Sequence, residues 1–126
     1  MNIEEFRDYC LAKSGVTEEM PFGPDTLVFK VGGKVFALTD INTFSSINLK
    51  CDPERAIALR DQFESIKPGY HMNKKHWNTV VLDSQISNNL LLELIDHSYH
   101  LVYSGLKKSE QLKLMTNFYD SPESTL

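Results

Sequence analysis

A chain of 126 residues, 41% apolar and 24% charged, has the size and make-up of one globular domain with its own core. A formal net charge of -4 argues against a protein that coats nucleic acid through overall basicity. No apolar run approaches a membrane span, and the acidic opening M-N-I-E-E-F-R-D does not read as a secretory leader, so no membrane partner is expected and the cytoplasm is the expected compartment.

The charge is unevenly placed. Residues 1–26 carry six acids and two bases, whereas Lys67–His76 carries three lysines and no acid, and residues 107–113 carry three lysines and one glutamate. Whether the two basic segments meet depends on the fold. Cys10 and Cys51 form no spaced motif and read as buried thiols, with a disulfide or a reactive pair as the alternatives.

In chain order, Asn2 to Lys13 reads as an amphipathic helix. Asn2 is the cap, Glu5 completes a capping box, and Ile3, Phe6 and Cys10 share a face. Gly15 is a left-handed stop. Val16 to Asp25 reads as a connector, because Pro21, Gly23 and Pro24 forbid a continuous helix or central strand. Phe22 reads as a plug at the core edge, with ligand stacking as the alternative. L-V-F-K-V, Gly32-Gly33 and K-V-F-A-L form a two-residue hairpin over Leu27–Leu38. That turn is expected to pair Phe29 with Phe36 and Leu27 with Leu38 on one face, leaving Val28, Lys30, Val35 and Ala37 on the other.

Ser46 to Cys51 reads as a third strand, with Ile47 and Leu49 inward. Asp52-Pro53 starts a helix expected to run to about Ile66, with Ala56, Leu59, Phe63 and Ile66 as its buried stripe. Arg55, Arg60, Asp61 and Glu64 read as solvated charge. Pro68-Gly69 ends that helix, and an irregular piece leads into a strand over His76–Leu82. In that strand Trp77, Thr79 and Val81 point one way, and Asn78, Val80 and Leu82 the other. Ser87 caps a long helix over Asn88–Ser104, with Leu91, Leu94, Ile95 and Val102 facing the core and Gly105 as its stop. A short helix is expected within Leu106–Tyr119, and Asp120–Leu126 reads as a frayed tail. The fold class is α+β: two layers, with helices on one face of an antiparallel sheet.

No catalytic constellation stands out. His71 and His76 lie among Lys74 and Lys75, which oppose a cation, and His97 and His100 share a helix side without further ligands nearby. No serine sits in an elbow motif, and neither cysteine has a local histidine base. The chain therefore reads as non-enzymatic, with no cofactor and no metal. Lys67, Lys74 and Lys75 suit phosphate contact, and Trp77 could stack, although a tryptophan in an alternating strand usually belongs to the core.

Several stretches together resemble the MmcQ/YjbR-like family of small bacterial proteins. They are M-P-F-G at Met20–Gly23, F-K-V-G-G-K-V-F-A at Phe29–Ala37, and L-K-C-D-P at Leu49–Pro53. They continue with P-G-Y-H-M-N-K-K-H-W-N-T-V at Pro68–Val80 and L-I-D-H-S-Y-H-L-V at Leu94–Val102. The resemblance covers residues 1–108, taken as the domain, and leaves residues 109–126 as a C-terminal extension. It implies a CyaY-like or secretion-chaperone-like fold of order α-β-β-β-α-β-β-α, with an additional short strand in or beside Tyr70–Lys75. It also implies DNA binding, for which the candidate residues are Lys67, His71, Asn73, Lys74, Lys75, His76 and Trp77. Ser98 and Tyr99 match the family motif without an assigned role. The alternatives are a protein- or peptide-binding module and a small-ligand binder with a pocket holding His71, Trp77 or Ser98. A monomer is the favoured state.

Overall fold

The structure is a computed structural model that describes residues 1–69 and 72–119, without the side chains of 116–119. The expected frayed tail, like Tyr70 and His71, lies outside the described residues. Helix α1, Ile3–Leu11, opens with the capping box: Asn2 Oδ1 accepts the Glu5 N–H, and Glu5 Oε1 accepts the Asn2 N–H. Its Phe6 and Cys10 are fully buried, and Phe6 meets Phe29 edge-on at 5.3 Å.

The expected connector divides differently. Val16–Glu19 is strand β1, paired antiparallel with β2, Thr26–Val31. The breaker residues begin only at Pro21, so they end this strand instead of preventing it. V-T-E-E lacked an apolar alternation because it is an edge strand. Its two glutamates are held by Arg7 and Lys30.

Strand β3, Lys34–Asp40, follows the expected Gly32-Gly33 turn, at φ 58° and 78°. The pairing within the hairpin differs from expectation. The register shifts between Phe29 and Lys30, so Phe29 faces Ala37, Val28 faces Leu38, and Leu27 faces Thr39. Phe36 is the extra residue of a β-bulge. The bulge brings both Phe36 and Ala37 into the core and moves Leu38 to the opposite face.

Strand β4, Ser46–Lys50, pairs with β3 on one side and with β6, Trp77–Val81, on the other. Between them lies α2, Pro53–Gln62, capped by Asp52. This helix stops short of the expected Ile66 because Phe63 is extended. Ile66 instead begins β5, Ile66–Pro68, which pairs with β6. The short additional strand thus precedes Tyr70–Lys75. Helix α3, Asn88–Ser104, is capped by Ser87 and ends at Gly105 as expected. Helix α4, Lys108–Tyr119, follows. A Cβ on Gly32 would stand 2.5 Å from Leu106 Cδ1, and one on Gly15 2.8 Å from Leu114 Cδ2, so the chain before and within α4 docks on two glycines.

The sheet runs β1-β2-β3-β4-β6-β5, antiparallel throughout. One face carries Leu27, Phe29, Ile47, Leu49 and Val80 against α1 and α3. Among the described residues, the other face carries no helix. Residues directly across neighbouring strands share a face. Val28, Leu38, Asn48, Thr79 and Lys67 therefore form one row across the helix-free side.

Ser98 ties α3 to the bulge. Its hydroxyl donates to Phe36 O at 2.5 Å and accepts the Lys50 N–H at 2.8 Å. After the Ala37–Leu49 pair, these two backbone groups would meet next in the ladder. The bulge parts them, and the buried hydroxyl bridges the gap. Removing it leaves a buried donor and a buried acceptor unmade, at about 1–3 kcal/mol each. Ser98→Ala is therefore expected to lower the unfolding free energy by about 3 kcal/mol in urea titration. A loss below about 0.5 kcal/mol, within the range of ordinary surface changes, would remove this role.

Candidate nucleic-acid interface

The antiparallel register determines which loops share an end of the sheet. The Gly32-Gly33 turn joins Val31 to Lys34, Lys50 faces Trp77, and Pro68 faces Asn78. Lys34, Lys50, Trp77 and the loop carrying Lys74 and Lys75 therefore all lie at one end, with Lys67 one step inward, opposite Thr79. Leu106 and α4 pack at the same end, where Lys113 and Leu114 lie beside Gly32. The two basic segments are thus on one end of the sheet. At the opposite end lie Asp25 and Asp40, bridged by Asn42, and Asp83 beyond Val81. The separation is partial, since Asp52 follows Lys50 by two residues and Glu110 lies beside Lys113.

The other strongly basic contacts are internal. Arg7 pairs with Glu18, Lys13 with Asp96, Lys30 with Glu19 and Arg55 with Glu93. Among the described residues, Lys50, Lys67, Lys74 and Lys75 enter no ion pair. Lys67, Lys74 and Lys75 are exposed.

Arg60 positions this loop, although its sequence context read as solvated charge. Its guanidinium donates to Asn78 Oδ1 at 2.7 Å, to Trp77 O at 3.2 Å and to Lys74 O. The signal was present in the periodicity: Arg60 is four residues after Ala56 and three before Phe63, on the helix stripe already assigned inward. Arg55 is likewise bound, by Glu93.

Of the candidate residues, Asn73 has a structural task. Its side chain accepts the Lys75 N–H, and its carbonyl accepts those of His76 and Trp77. His76 is half-buried, and its carbonyl accepts the Cys51 N–H. Trp77 is half-buried on the helix-free face, so it is not the enclosed core residue that strand alternation favours. A Cβ on Gly69 would stand 2.8 Å from Trp77 Cβ, so the glycine admits this close approach. His71 lies outside the described residues.

From mid-sheet toward the Asp40 end, the helix-free face holds a groove of about 570 Å³ lined by Phe22, Thr26, Leu38, Asp40, Asn48 and Thr79, among others. Phe22 is 72% exposed and so does not plug the core. Pro21, Gly23 at φ 120° and Pro24 flank it, and it lies at the groove. Ser98 faces the opposite side and takes no part in the groove. Tyr99 is also structural: it donates to Ser14 O and meets Phe36 edge-on at 5.4 Å.

Among the described residues, no three His, Cys, Asp or Glu side chains converge as metal ligands would, and no helix is long and apolar enough to cross a membrane. Both thiols are free and buried. Burial pushes Cys10 up to about 12 and also raises Cys51. Neither is expected to react with a thiol reagent at neutral pH until the protein unfolds, and labelling at the rate of an exposed cysteine would contradict this packing. His97 Nε2 accepts the Asp52 N–H at 3.2 Å. Burial, then the Arg55 guanidinium, holds its pKa below the ordinary value. The unfolded chain therefore binds this proton first. The stability contribution is intact above about pH 6.5 and falls as the pH drops toward the folded value. His97→Gln, which keeps an acceptor but does not titrate, is expected to flatten the loss of stability between about pH 6.5 and pH 5 seen in urea midpoints. Identical pH profiles for the two proteins would contradict it.

Comparison with known proteins is consistent with this architecture. The chain is 47% identical over 95 residues to the YbdF protein of Escherichia coli O157:H7, covering 75% of this chain and 78% of that one. It is 33% identical over 116 residues to the YjbR protein of Escherichia coli K12, covering 91% and 98%. A Deinococcus radiodurans crystal structure superposes with a TM-score of 0.85 at 43% identity, covering 90% of this chain and 88% of that one. A Pseudomonas syringae structure superposes at 0.69 with 33% identity, covering 81% and 99%. The YjbR family model matches residues 11–101. The chain belongs to the MmcQ/YjbR family.

Proposed function

We propose that this is a non-catalytic cytoplasmic protein that associates with DNA through the lysine end of its sheet. The observation that carries this is the grouping of Lys50, Lys67, Lys74 and Lys75, free of ion pairs among the described residues, around a half-buried Trp77. Phosphates bind such a group by displacing counterions, without regard to sequence. The acids at the far end repel the same backbone and so restrict contact to one end. The non-catalytic part of the proposal is supported by the commitments of the reactive side chains. Ser98 bridges two backbone groups, and both thiols are enclosed.

A second function, a peptide-binding module of CyaY-like or secretion-chaperone-like fold, is favoured by one observation. The helix-free face has a groove with a 72% exposed phenylalanine at its rim.

The first proposal is tested by fluorescence anisotropy with a labelled DNA duplex at low salt. Reversing Lys74 and Lys75 to glutamate is expected to weaken binding at least tenfold, equally for unrelated sequences. Absence of binding by the unaltered protein to any DNA, duplex or single-stranded, at low salt would end the proposal.

A further inference from the structure

We infer that the groove on the helix-free face seats an unstacked base of single-stranded nucleic acid, whose phosphates lie over Lys50 and Lys67. This rests on the lysine-end proposal above and specifies the form of nucleic acid. The register places the parts. Asn48 faces Thr79, and Lys67 faces Thr79 from the other side, so all three share the face. Lys50 and Trp77 face each other two residues further along, about 7 Å away. The groove's Asn48–Thr79 pair is therefore bordered on the same face by Lys67, across from Thr79, and by Lys50 and Trp77, two residues further along.

The chemistry of the groove changes along its length. Leu38, Met72 and the exposed Phe22 offer apolar and aromatic contact suited to the face of a base. Asn48 Oδ1 accepts the Thr79 hydroxyl, which leaves its amide NH2 as the donor pair for a base carbonyl. Asp40 closes the end away from the lysines, where its Oδ1 accepts the Asn42 and Thr43 N–H groups. A phosphate is repelled there, whereas an uncharged base is not. The ligand is thus oriented with its base toward Asp40 and its phosphates toward Lys50 and Lys67.

A duplex meets these demands poorly. Its base faces are stacked within the helix, and the site presents an open sheet with a groove where a duplex reader presents a helix or ribbon that enters the DNA. Among the described residues, α1, α2 and α3 all pack against the sheet.

The test compares oligo(dT) and oligo(U) of about twelve nucleotides, within the span of one binding module, with a duplex of equal length at low salt. Emission from Trp77, the single tryptophan of the chain, gives a second readout. Either single strand is expected to bind more tightly than the duplex and to change that emission, and the two arms distinguish DNA from RNA. Phe22→Ala and Asn48→Ala are each expected to weaken single-strand binding about tenfold and leave duplex binding unchanged. Phe22 is largely exposed, so its replacement does not disturb the core. Asn48 provides an independent variant on a different element. If the duplex binds as tightly as the single strands, or if neither variant affects single-strand binding, the groove inference fails and the lysine-end proposal stands. If no nucleic acid binds at low salt, both fail.

Discussion

The bridge made by Ser98 is the constraint on which the candidate surface depends. A bulge at Phe36 widens the ladder between β3 and β4, and a buried hydroxyl from α3 satisfies both backbone groups left apart. The same contact anchors the centre of α3 to the middle of the sheet, where Phe36 and Tyr99 pack edge-on. Because Ser98 holds the Lys50 backbone, it also sets the end of β4 that faces Trp77. A residue buried on the helix side thus positions a lysine on the opposite face. Its hydroxyl makes both of these hydrogen bonds from within the core.

Topology then gathers lysines that are scattered in the sequence at one end of the sheet. Antiparallel strands return every second loop to the same end. The Gly32-Gly33 turn, the Lys50 end of β4 and the loop before Trp77 all arrive together, and the start of α4 docks beside Gly32. The turns at Asp40 and Asp83 arrive at the other end. Net charge alone, at -4, gives no hint of this separation. It matters for association because fields act over about a Debye length, roughly 8–10 Å near physiological salt, shorter than the sheet.

Much of the fold was legible in the sequence because its signals were local. The Asn2 and Glu5 capping box, the Asp52-Pro53 start, the Gly-Gly turn and the Ser87 cap each act within a few residues, and each is found where expected. Features set by distant partners were not legible. Strand β1 owes its existence to pairing with β2, the Phe36 bulge to Ser98 62 residues away, and the early end of α2 to the demand of β6 for an edge partner. The candidate site followed the same division. The lysines and Trp77 were visible as a local cluster. The exposure of Phe22, the addition of Lys50 and the anchoring by Arg60 emerge only once the strands are in register.

The central claim is that four lysines at one end of the sheet contact phosphates, and the most direct measurement is the salt dependence of nucleic-acid affinity. Four phosphate contacts predict that log Kobs falls with log salt at a slope of about -3 to -4, since each contact contributes roughly 0.7 to 0.9. A flat dependence would contradict the account, because affinity would then not arise from the lysines. A complete lack of binding at the lowest salt would contradict it equally.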